Sequence, residues 1–484
     1  MMRKLAALAA LLASLLVPPL SPAKGKPSQW LVLTNVTVVD MSDGTNQPGM
    51  TVVIRDDRIT AIAKRALIQI DHNVHVVNAT GQYLIPGLWD MHVHLADPER
   101  EFPLFLANGV LGVRNMGGAA TDVFRWREEA ASGKKPGPRV IACGPVLDGP
   151  QPARPEHAIS VHNAEEGRQA VRSLKQMGAD FVKVYDGIPR EAYFAMADEA
   201  KRLHLPFAGH VPVAIRELEA TNAGQHSIEH GVGLRGASAA EDEVARLQQT
   251  EDVFAEAMRT HNFSLIPESL AKRGNLLLDQ YSSQRAQQLY NAFVKNDTYL
   301  TPTLVVNRSL TFIDDLSKQD DARMKYIPAA ERERWKPENG MLSRYRTPAY
   351  IAFRKREYAS LLKQVRVAQN AGVRFLAGTD VTSAYTYPGF SLHDELELLV
   401  TAGLTRLQAL QAATLNPAKF LGKERDLGAV EPGKVANLVL LDADPMEDIR
   451  NTRKIRGVVL NGRFYDRAEL DKMLAGAEAA AKRP

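Results

Sequence analysis

The sequence predicts an α/β protein, a closed (β/α)8 TIM-like barrel with a small β-sandwich domain formed by both ends of the chain. Three observations predict it. Short strands rich in β-branched residues occupy both ends. The middle alternates helix and strand, the pattern of a parallel sheet with helices outside. Polar residues recur at the ends of successive apolar strands, which favours a closed barrel over an open sheet.

The elements follow in order. Residues 30–39 (Trp-Leu-Val-Leu-Thr-Asn-Val-Thr-Val-Val), 50–54 and 58–63 read as strands, with Asp56-Asp57 between the last two. Residues 436–441 and 456–460 are strands at the other end, followed by the turn signal Asn461-Gly462. The first part of the terminal domain is expected over 24–85, the barrel over 86–422 and the returning part of the terminal domain over 423–467.

Within the barrel, 139–143 is a strand and 165–178 a helix with Val171 and Leu174 on one face. Phe181-Val-Lys-Val-Tyr185 is the next strand. Ala192, Met196, Ala200 and Leu203 have helical spacing and lead to a strand over 206–210, then Ser227-Ile-Glu-His230. Residues 236–369 exceed what the repeat needs. A strand over 298–306 and helices over 276–294 and 344–369 are expected there, laid over the barrel mouth. Thr405 and Gln408 form a capping box, Asn416-Pro417 reads as an N-cap with proline at the first helical position, and 468–484 reads as a surface tail helix.

Composition removes other classes. The 484 residues are 45% hydrophobic and 24% charged, values of an ordinary globular protein. Sixty Lys and Arg against 56 Asp and Glu give a net charge of +4, without a dense basic block to bind nucleic acid. The single Cys143 excludes an intrachain disulfide and Cys-x-x-Cys chemistry. Residues 1–23 read as a signal peptide. Arg3 and Lys4 precede an apolar run over 5–16, and Ser21-Pro22-Ala23 offers small residues for cleavage. The run is shorter than the roughly 20 residues of a membrane span, though an uncleaved anchor is the alternative. The expected location is secreted or periplasmic, with no integral membrane association.

The chemistry begins at His92-Val-His94. Residues two apart on a strand share a face, so both imidazoles project to one side and can bind one metal ion. His210 and His230 end later strands, Asp380 ends the last barrel strand (373–380), and Lys183 sits inside an apolar one. Singly these are packed histidines, an N-cap aspartate and a lysine reaching for water. Together, on five strand ends, they read as one site.

The residues that carry this pattern are Pro86-Gly-Leu-x-Asp-x-His-x-His94, Gly109-Val-Leu-Gly-Val-Arg-Asn-Met-Gly-Gly118 and Gly178-Ala-Asp-Phe-Val-Lys-Val184. They continue with Ala208-Gly-His-Val-Pro212, Ser227-Ile-Glu-His-Gly231, Gly378-Thr-Asp380, Gly428-x-x-Glu-Pro-Gly433 and Ala436-Asn-Leu-Val439. Over nearly the whole chain beyond residue 23 this resembles the amidohydrolase superfamily of metal-dependent hydrolases. The branch it resembles is the imidazolonepropionase-like one, with its Xaa-Pro and Xaa-Arg/Lys dipeptidases and ochratoxin-cleaving amidases.

The resemblance implies two divalent metal ions, with zinc suited to the donor set. His92, His94 and Asp380 would bind the more buried ion, His210 and His230 the second. Lys183, N6-carboxylated by CO2, would bridge them, and Asp380 would be the catalytic proton carrier. Family deaminases with one metal lack the lysine and carry His-x-x-Glu at the strand of His210, where this chain reads His210-Val-Pro-Val213.

The expected reaction is hydrolysis of peptide or N-acyl amino acid bonds. Hydrolysis of lactones, cyclic amides or small esters is the alternative, and a silent metal-binding protein the third reading. A small molecule or short peptide is the expected partner, and a homo-oligomer is left open. Tyr185, His157 and His162 are candidates for substrate contact, with His393 a further residue that could line the pocket. Asn115 departs from the Asp often found after the arginine, so Arg114 is read as structural support near the mouth. His226 is read as a packing or surface residue.

Overall fold

The structure is a computed structural model. It describes residues 28–64, 67, 74–152, 154–250, 253–336, 338–339, 343 and 345–483. The signal segment expected over 1–23 lies outside the described residues. Among them, no helix is long and apolar enough to cross a membrane.

The N-terminal part supplies β1 (Trp30–Val39), β2 (Asn46–Arg55), β3 (Arg58–Lys64), β4 (His75–Asn78) and β5 (Tyr83–Pro86). The parallel strands of the middle are β6 (Leu88–Val93), β7 (Val110–Asn115), β8 (Arg139–Ala142), β9 (Val146–Asp148), β10 (Ala158–Ser160), β11 (Val182–Val184), β12 (Phe207–Gly209), β13 (Ser227–Glu229) and β14 (Tyr299–Thr301). The C-terminal part returns with β15 (Leu438–Leu441), β16 (Ile455–Leu460) and β17 (Arg463–Asp466).

Both ends of the chain meet in one eight-stranded sheet, ordered β17-β16-β15-β5-β1-β2-β3, with β4 paired to β1. A second facing sheet, as a sandwich would need, is not among the described ladders. Leu33, Val36, Val52, Ile54, Leu84, Leu438 and Leu440 form the core beside this sheet. The β16–β17 hairpin turns on Asn461 (φ 48°) and Gly462 (φ 79°), both left-handed as a two-residue turn of this type requires.

The middle is α/β with parallel sheets: β6-β7-β8, and β10-β9-β11-β12-β13-β14. Helices return the chain between strands. The helix Ala164–Met177 shows why: Asn163 caps its first turn, Gly178 (φ 84°) ends it in the left-handed region, and Val171 and Leu174 are buried. The last strand expected, over 373–380, is reduced to two parallel bridges, Leu300 with Phe375 and Val93 with Val381. The segment thus touches β14 on one side and β6 on the other. Its close approach requires Gly378, where a Cβ would lie 2.6 Å from Thr301 and 2.8 Å from His92. Asp380, at φ 58°, breaks the extended geometry a continuous ladder would need.

Other expectations are corrected. The strand expected over 298–306 ends at Thr301, and a helix, Leu304–Thr311, begins after Thr303 turns into the left-handed region (φ 45°). A distant carboxylate causes this, because Glu395 accepts the backbone N–H groups of Leu304 and Val305 at 2.9 and 2.7 Å. The helix expected over 276–294 is two helices, Leu265–Asp279 and Ser283–Lys295, the second restarted by the Ser282 cap. Asn416 is not an N-cap: it lies inside Leu415–Phe420 and donates to Phe375 O at 2.9 Å. The tail helix Arg467–Ala481 buries Leu470, Ala477 and Ala481 and packs on the helix Pro98–Ala107. The Thr405/Gln408 capping box is present.

Candidate metal centre

The six residues singled out in the sequence stand at or just beyond the C-terminal ends of parallel strands. His92 belongs to β6 and His94 follows it; Lys183 belongs to β11; His210 and His230 follow β12 and β13. Asp380 lies in the segment bridging β14 and β6. His230 (φ 68°) and Asp380 (φ 58°) hold left-handed backbone conformations that non-glycine residues rarely adopt and that cluster at functional sites.

Donor atoms of His92, His230 and Asp380 lie within 4.8 Å of one another. Asp380 Oδ1 is 3.4 Å from His92 Nε2 and 3.2 Å from His94 Nε2. The His210 and His230 rings are 4.9 Å apart between centroids, and His92 and His230 are 4.6 Å apart. Lys183 is buried and its Nζ is 5.9 Å from the Tyr185 ring centroid. Gly209 makes room for it, since a Cβ there would stand 3.0 Å from Lys183 Cδ.

Three of the four imidazoles are oriented through Nδ1. His92 Nδ1 meets Glu229 Oε2 at 2.8 Å, His210 Nδ1 meets Asp186 Oδ1 at 2.9 Å, and His230 Nδ1 meets Thr303 Oγ1 at 2.9 Å. Such partners fix ring direction and tautomer and leave Nε2 for a ligand. Glu229 is itself gripped by Arg114 Nη2 at 2.8 and 3.0 Å, and Arg114 also donates to Met91 O and Ser227 Oγ. Asp90, behind the site, accepts from Thr379 Oγ1 at 2.6 Å and from the Thr379 and His92 backbone N–H groups.

The electrostatics keep the His92 and His230 imidazoles neutral and the Asp380 and Glu229 carboxyls ionised. Burial, reinforced by the Lys183 charge, pushes His92 down to about 4. Burial and the His92 charge hold His230 well below the usual histidine range. For Asp380 and Glu229 burial acts the other way, yet the histidines around Asp380, and Arg114 with His92 beside Glu229, hold both carboxyls well below their usual range. Burial alone dominates at Asp90, pushed up to about 7, and at Lys183, whose ammonium is pushed down.

Two buried polar atoms at this centre, His92 Nε2 and Lys183 Nζ, have no hydrogen-bond partner. Native structures rarely leave such atoms unsatisfied. The neutral imidazoles of His92 and His230 and the ionised carboxylate of Asp380, with donor atoms within 4.8 Å of one another, are a donor set a divalent cation takes. The residues present therefore fit a metal.

A cavity of about 370 Å³ opens over His94, His210, His230 and Asp380. Tyr185 and His157 line it. Tyr185 packs against His210 at 4.2 Å between centroids, and burial pushes its phenol up to about 12. His162 is not among the lining residues; it is exposed and paired with Glu166 at 2.8 Å. His393 is also elsewhere, buried between Thr452 Oγ1 and Asn108 O. His226 stacks on Phe420 at 4.3 Å. Arg114 is fully buried against Glu229 rather than near the mouth, because the Glu229 carboxylate needs a counter-charge.

None of the described residues of 236–369 lines this cavity; its walls come from residues 94–96, 117–119, 122, 123, 126, 146, 148, 154, 157, 185, 210, 230, 380, 382 and 383. The expected cover over the mouth is thus not seen at this cavity. The long region contributes from beside it, through Thr303 and through Asn307, which donates to His230 O at 3.2 Å. Sequence reasoning missed Glu229, Asp186 and Thr303. Glu229 was visible in Ser227-Ile-Glu-His, and Asp186 three residues after Lys183; Thr303 had no signal beyond its Pro-Thr setting.

The model of the Amidohydrolase family matches residues 83–465. An adenine deaminase of Rubrobacter xylanophilus is 31% identical over 96 residues, which span 20% of this chain and only 16% of that protein. Among solved structures, bottromycin amidohydrolase aligns with a TM-score of 0.72 at 22% identity, over 93% of this chain and 90% of its own. A Xaa-Pro dipeptidase with bound methionine in its active site aligns with a TM-score of 0.64 at 20% identity, over 90% of this chain and 100% of its own. The fold is shared with both. With its polar residues gathered at strand ends and most of its length matched by the family model, the chain belongs to the amidohydrolase family.

Proposed function

We propose that the protein is an exported binuclear metal-dependent amidohydrolase that cleaves peptide or N-acyl amino acid bonds, in the prolidase- and Xaa-Pro-dipeptidase-like branch. In this reading the parallel strands close into a (β/α)8 barrel through residues 373–381. His92, His94 and Asp380 would hold one divalent ion and His210 and His230 a second, with N6-carboxylated Lys183 as a further anionic ligand. Zinc suits these ligands.

The observation that carries the reading is the pair of orphaned buried atoms, His92 Nε2 and Lys183 Nζ. A buried ammonium without a partner is costly. Burial favours the neutral amine, the form that adds to CO2, and the carbamate formed is an anion that can serve as a ligand. The matched bottromycin amidohydrolase and Xaa-Pro dipeptidase support amide chemistry on this fold.

The chemistry divalent ions supply at such a site is Lewis acidity toward water and toward the scissile carbonyl. The chain's residues supply the rest. Asp380, at the cavity floor, accepts the proton released as water adds to the carbonyl carbon. It returns that proton to the nitrogen as the C–N bond breaks, giving a carboxylate and an amine. Glu229, Asp186 and Thr303 hold the imidazoles in place. Tyr185 and His157 face the substrate, and Trp126, Val123 and Val146 shield one part of it from water.

The test is elemental analysis of purified protein together with a hydrolysis screen of dipeptides, N-acyl amino acids and lactones. About two ions per chain, with chelator-sensitive amide cleavage restored by Zn2+, is the expected result. Full amide cleavage by rigorously metal-free protein would overturn it.

A further inference from the structure

The two carboxylate oxygens of Asp380 have different surroundings. Oδ1 faces imidazoles, 3.4 Å from His92 Nε2 and 3.2 Å from His94 Nε2. Oδ2 accepts the Ser383 hydroxyl at 3.1 Å. Ser383 is half-buried and lines the same cavity as Asp380.

The backbone aims this hydroxyl. Asp380 is left-handed (φ 58°) and its carbonyl accepts the Ser383 N–H at 3.0 Å, so the chain turns back and brings side chain 383 to side chain 380. The turn is pinned on both sides. Val381 O accepts the His94 N–H at 2.5 Å, which ties it to the segment that follows β6. Ser383 O accepts the Thr386 N–H at 3.1 Å and Thr386 Oγ1 at 2.6 Å. Ser309 Oγ, from the helix Leu304–Thr311, donates to Ala384 O at 2.9 Å. The hydroxyl is therefore mounted on a segment held by its neighbours and not on a free loop.

The last torsion of an aspartate is broad and roughly two-fold. A carboxylate held at one oxygen can swing or exchange its oxygens, whereas one held at both cannot. The proposed reaction gives Asp380 two duties, as ligand and as proton carrier. A serine hydroxyl donates to an ionised carboxylate oxygen and, once that oxygen is protonated, can turn and accept from it. Ser383 can thus hold Oδ2 in both states and neither gains nor loses a proton itself. We propose that Ser383 is a positioning residue for Asp380: its hydroxyl dedicates Oδ2 to carrying the proton and keeps Oδ1 with the imidazoles as the ligand oxygen. This rests on the amidohydrolase reading given above.

The test compares wild type, Ser383→Ala and Ser383→Thr in three measurements. These are urea unfolding of the metal-free chain, zinc titration against a competing chelator, and kcat and KM at saturating Zn2+ on the best amide of the hydrolysis screen. Both variants are expected to unfold with wild type. Ser383→Ala should bind zinc about 10-fold more weakly and lose about 10- to 100-fold in kcat with KM unchanged, the scale of a hydrogen bond to a charged group. Ser383→Thr, which keeps the hydroxyl, should recover most of both. Wild-type zinc binding and kcat in Ser383→Ala, equal losses in the two variants, a raised KM with unchanged kcat, or a loss that accompanies unfolding at lower urea overturns the assignment. Zinc binding that weakens in Ser383→Ala and recovers in Ser383→Thr, with no amide hydrolysed by wild type, would uphold the grip of Ser383 on Asp380 and remove the proposed reaction instead.

Discussion

Glu229 Oε2 stands 2.8 Å from His92 Nδ1, and the same carboxylate accepts both contacts from Arg114 Nη2. A candidate metal ligand and a buried guanidinium thus share one anion, with all three side chains out of reach of water. Glu229→Gln leaves the Arg114 charge uncompensated and loosens the imidazole. Removing one partner of such a buried pair costs about 3–5 kcal/mol, and loss of a ligand's supporting hydrogen bond lowers metal affinity about 10- to 100-fold. Urea unfolding of the metal-free chain and zinc titration against a competing chelator measure the two effects separately.

Lys183 predicts effects of opposite sign. Its Nζ is buried without a partner, so Lys183→Met should leave the metal-free chain at least as stable as wild type, because an uncompensated amine is replaced by an apolar chain. The same variant should bind at most about one ion and lose most turnover if a bridge is missing. Undiminished metal content and rate in the variant would reduce Lys183 to a packing residue.

Asp380→Asn keeps the size and one oxygen donor but removes the base. Metal binding should weaken only in part while kcat falls about 10²- to 10⁴-fold. The loss should persist at saturating Zn2+ and be smaller for activated esters, whose leaving groups need no proton. Complete rescue of amide hydrolysis by excess zinc would make Asp380 a ligand alone.

Thr303 connects a helix cap to a candidate metal ligand. Glu395 holds the first turn of Leu304–Thr311, and the preceding Thr303 meets His230 Nδ1 at 2.9 Å. Thr303→Ala should weaken binding of the second zinc ion about 10-fold or more, and Thr303→Ser should restore it. Equal zinc isotherms for the alanine and serine variants would show that the hydroxyl does not orient the ring.

His393 contributes to the acid side of the stability profile. Burial pushes its imidazole down to about 4 from 6.5, so between those values the unfolded chain binds a proton that the folded chain does not. Stability is therefore full above about pH 6.5 and falls as pH drops through the window. The loss from this one residue between about pH 7 and about pH 5 is about 2 kcal/mol. His393→Gln, which keeps hydrogen-bonding atoms but cannot titrate, should remove this residue's share of the slope in urea unfolding with chelator present and leave the share of His92 and His230, which burial shifts the same way.

The strands of the terminal sheet and the strand ends that carry the candidate ligands were legible in the sequence because their signals are local: β-branched runs, turn dipeptides, and a two-residue spacing that sets both histidines on one face. Thr298 to Val306 was misleading for the same reason. Its β-branched residues favour a strand, and only Glu395, far along the chain, turns the second half into a helix. The partners of the imidazoles were hidden likewise, since Glu229 reaches His92 and Thr303 reaches His230 only once separate strands lie side by side. Periodicity reports which face a residue occupies, not which side chain it will meet there.

The pairing of β5 with β15 constrains the order of assembly. β5 leads through Gly87 directly into β6 and His92, and one edge of β5 is completed by residues 438–441, near the far end of the chain; Gly87 N–H itself donates to Asn437 O at 2.8 Å. A nascent chain that has already exposed His92 and His94 still lacks both Asp380 and the strand that anchors their mounting. A chain halted before residue 438 therefore carries all six candidate ligands yet lacks the strand that completes the edge of β5, the mounting from which His92 and His94 project.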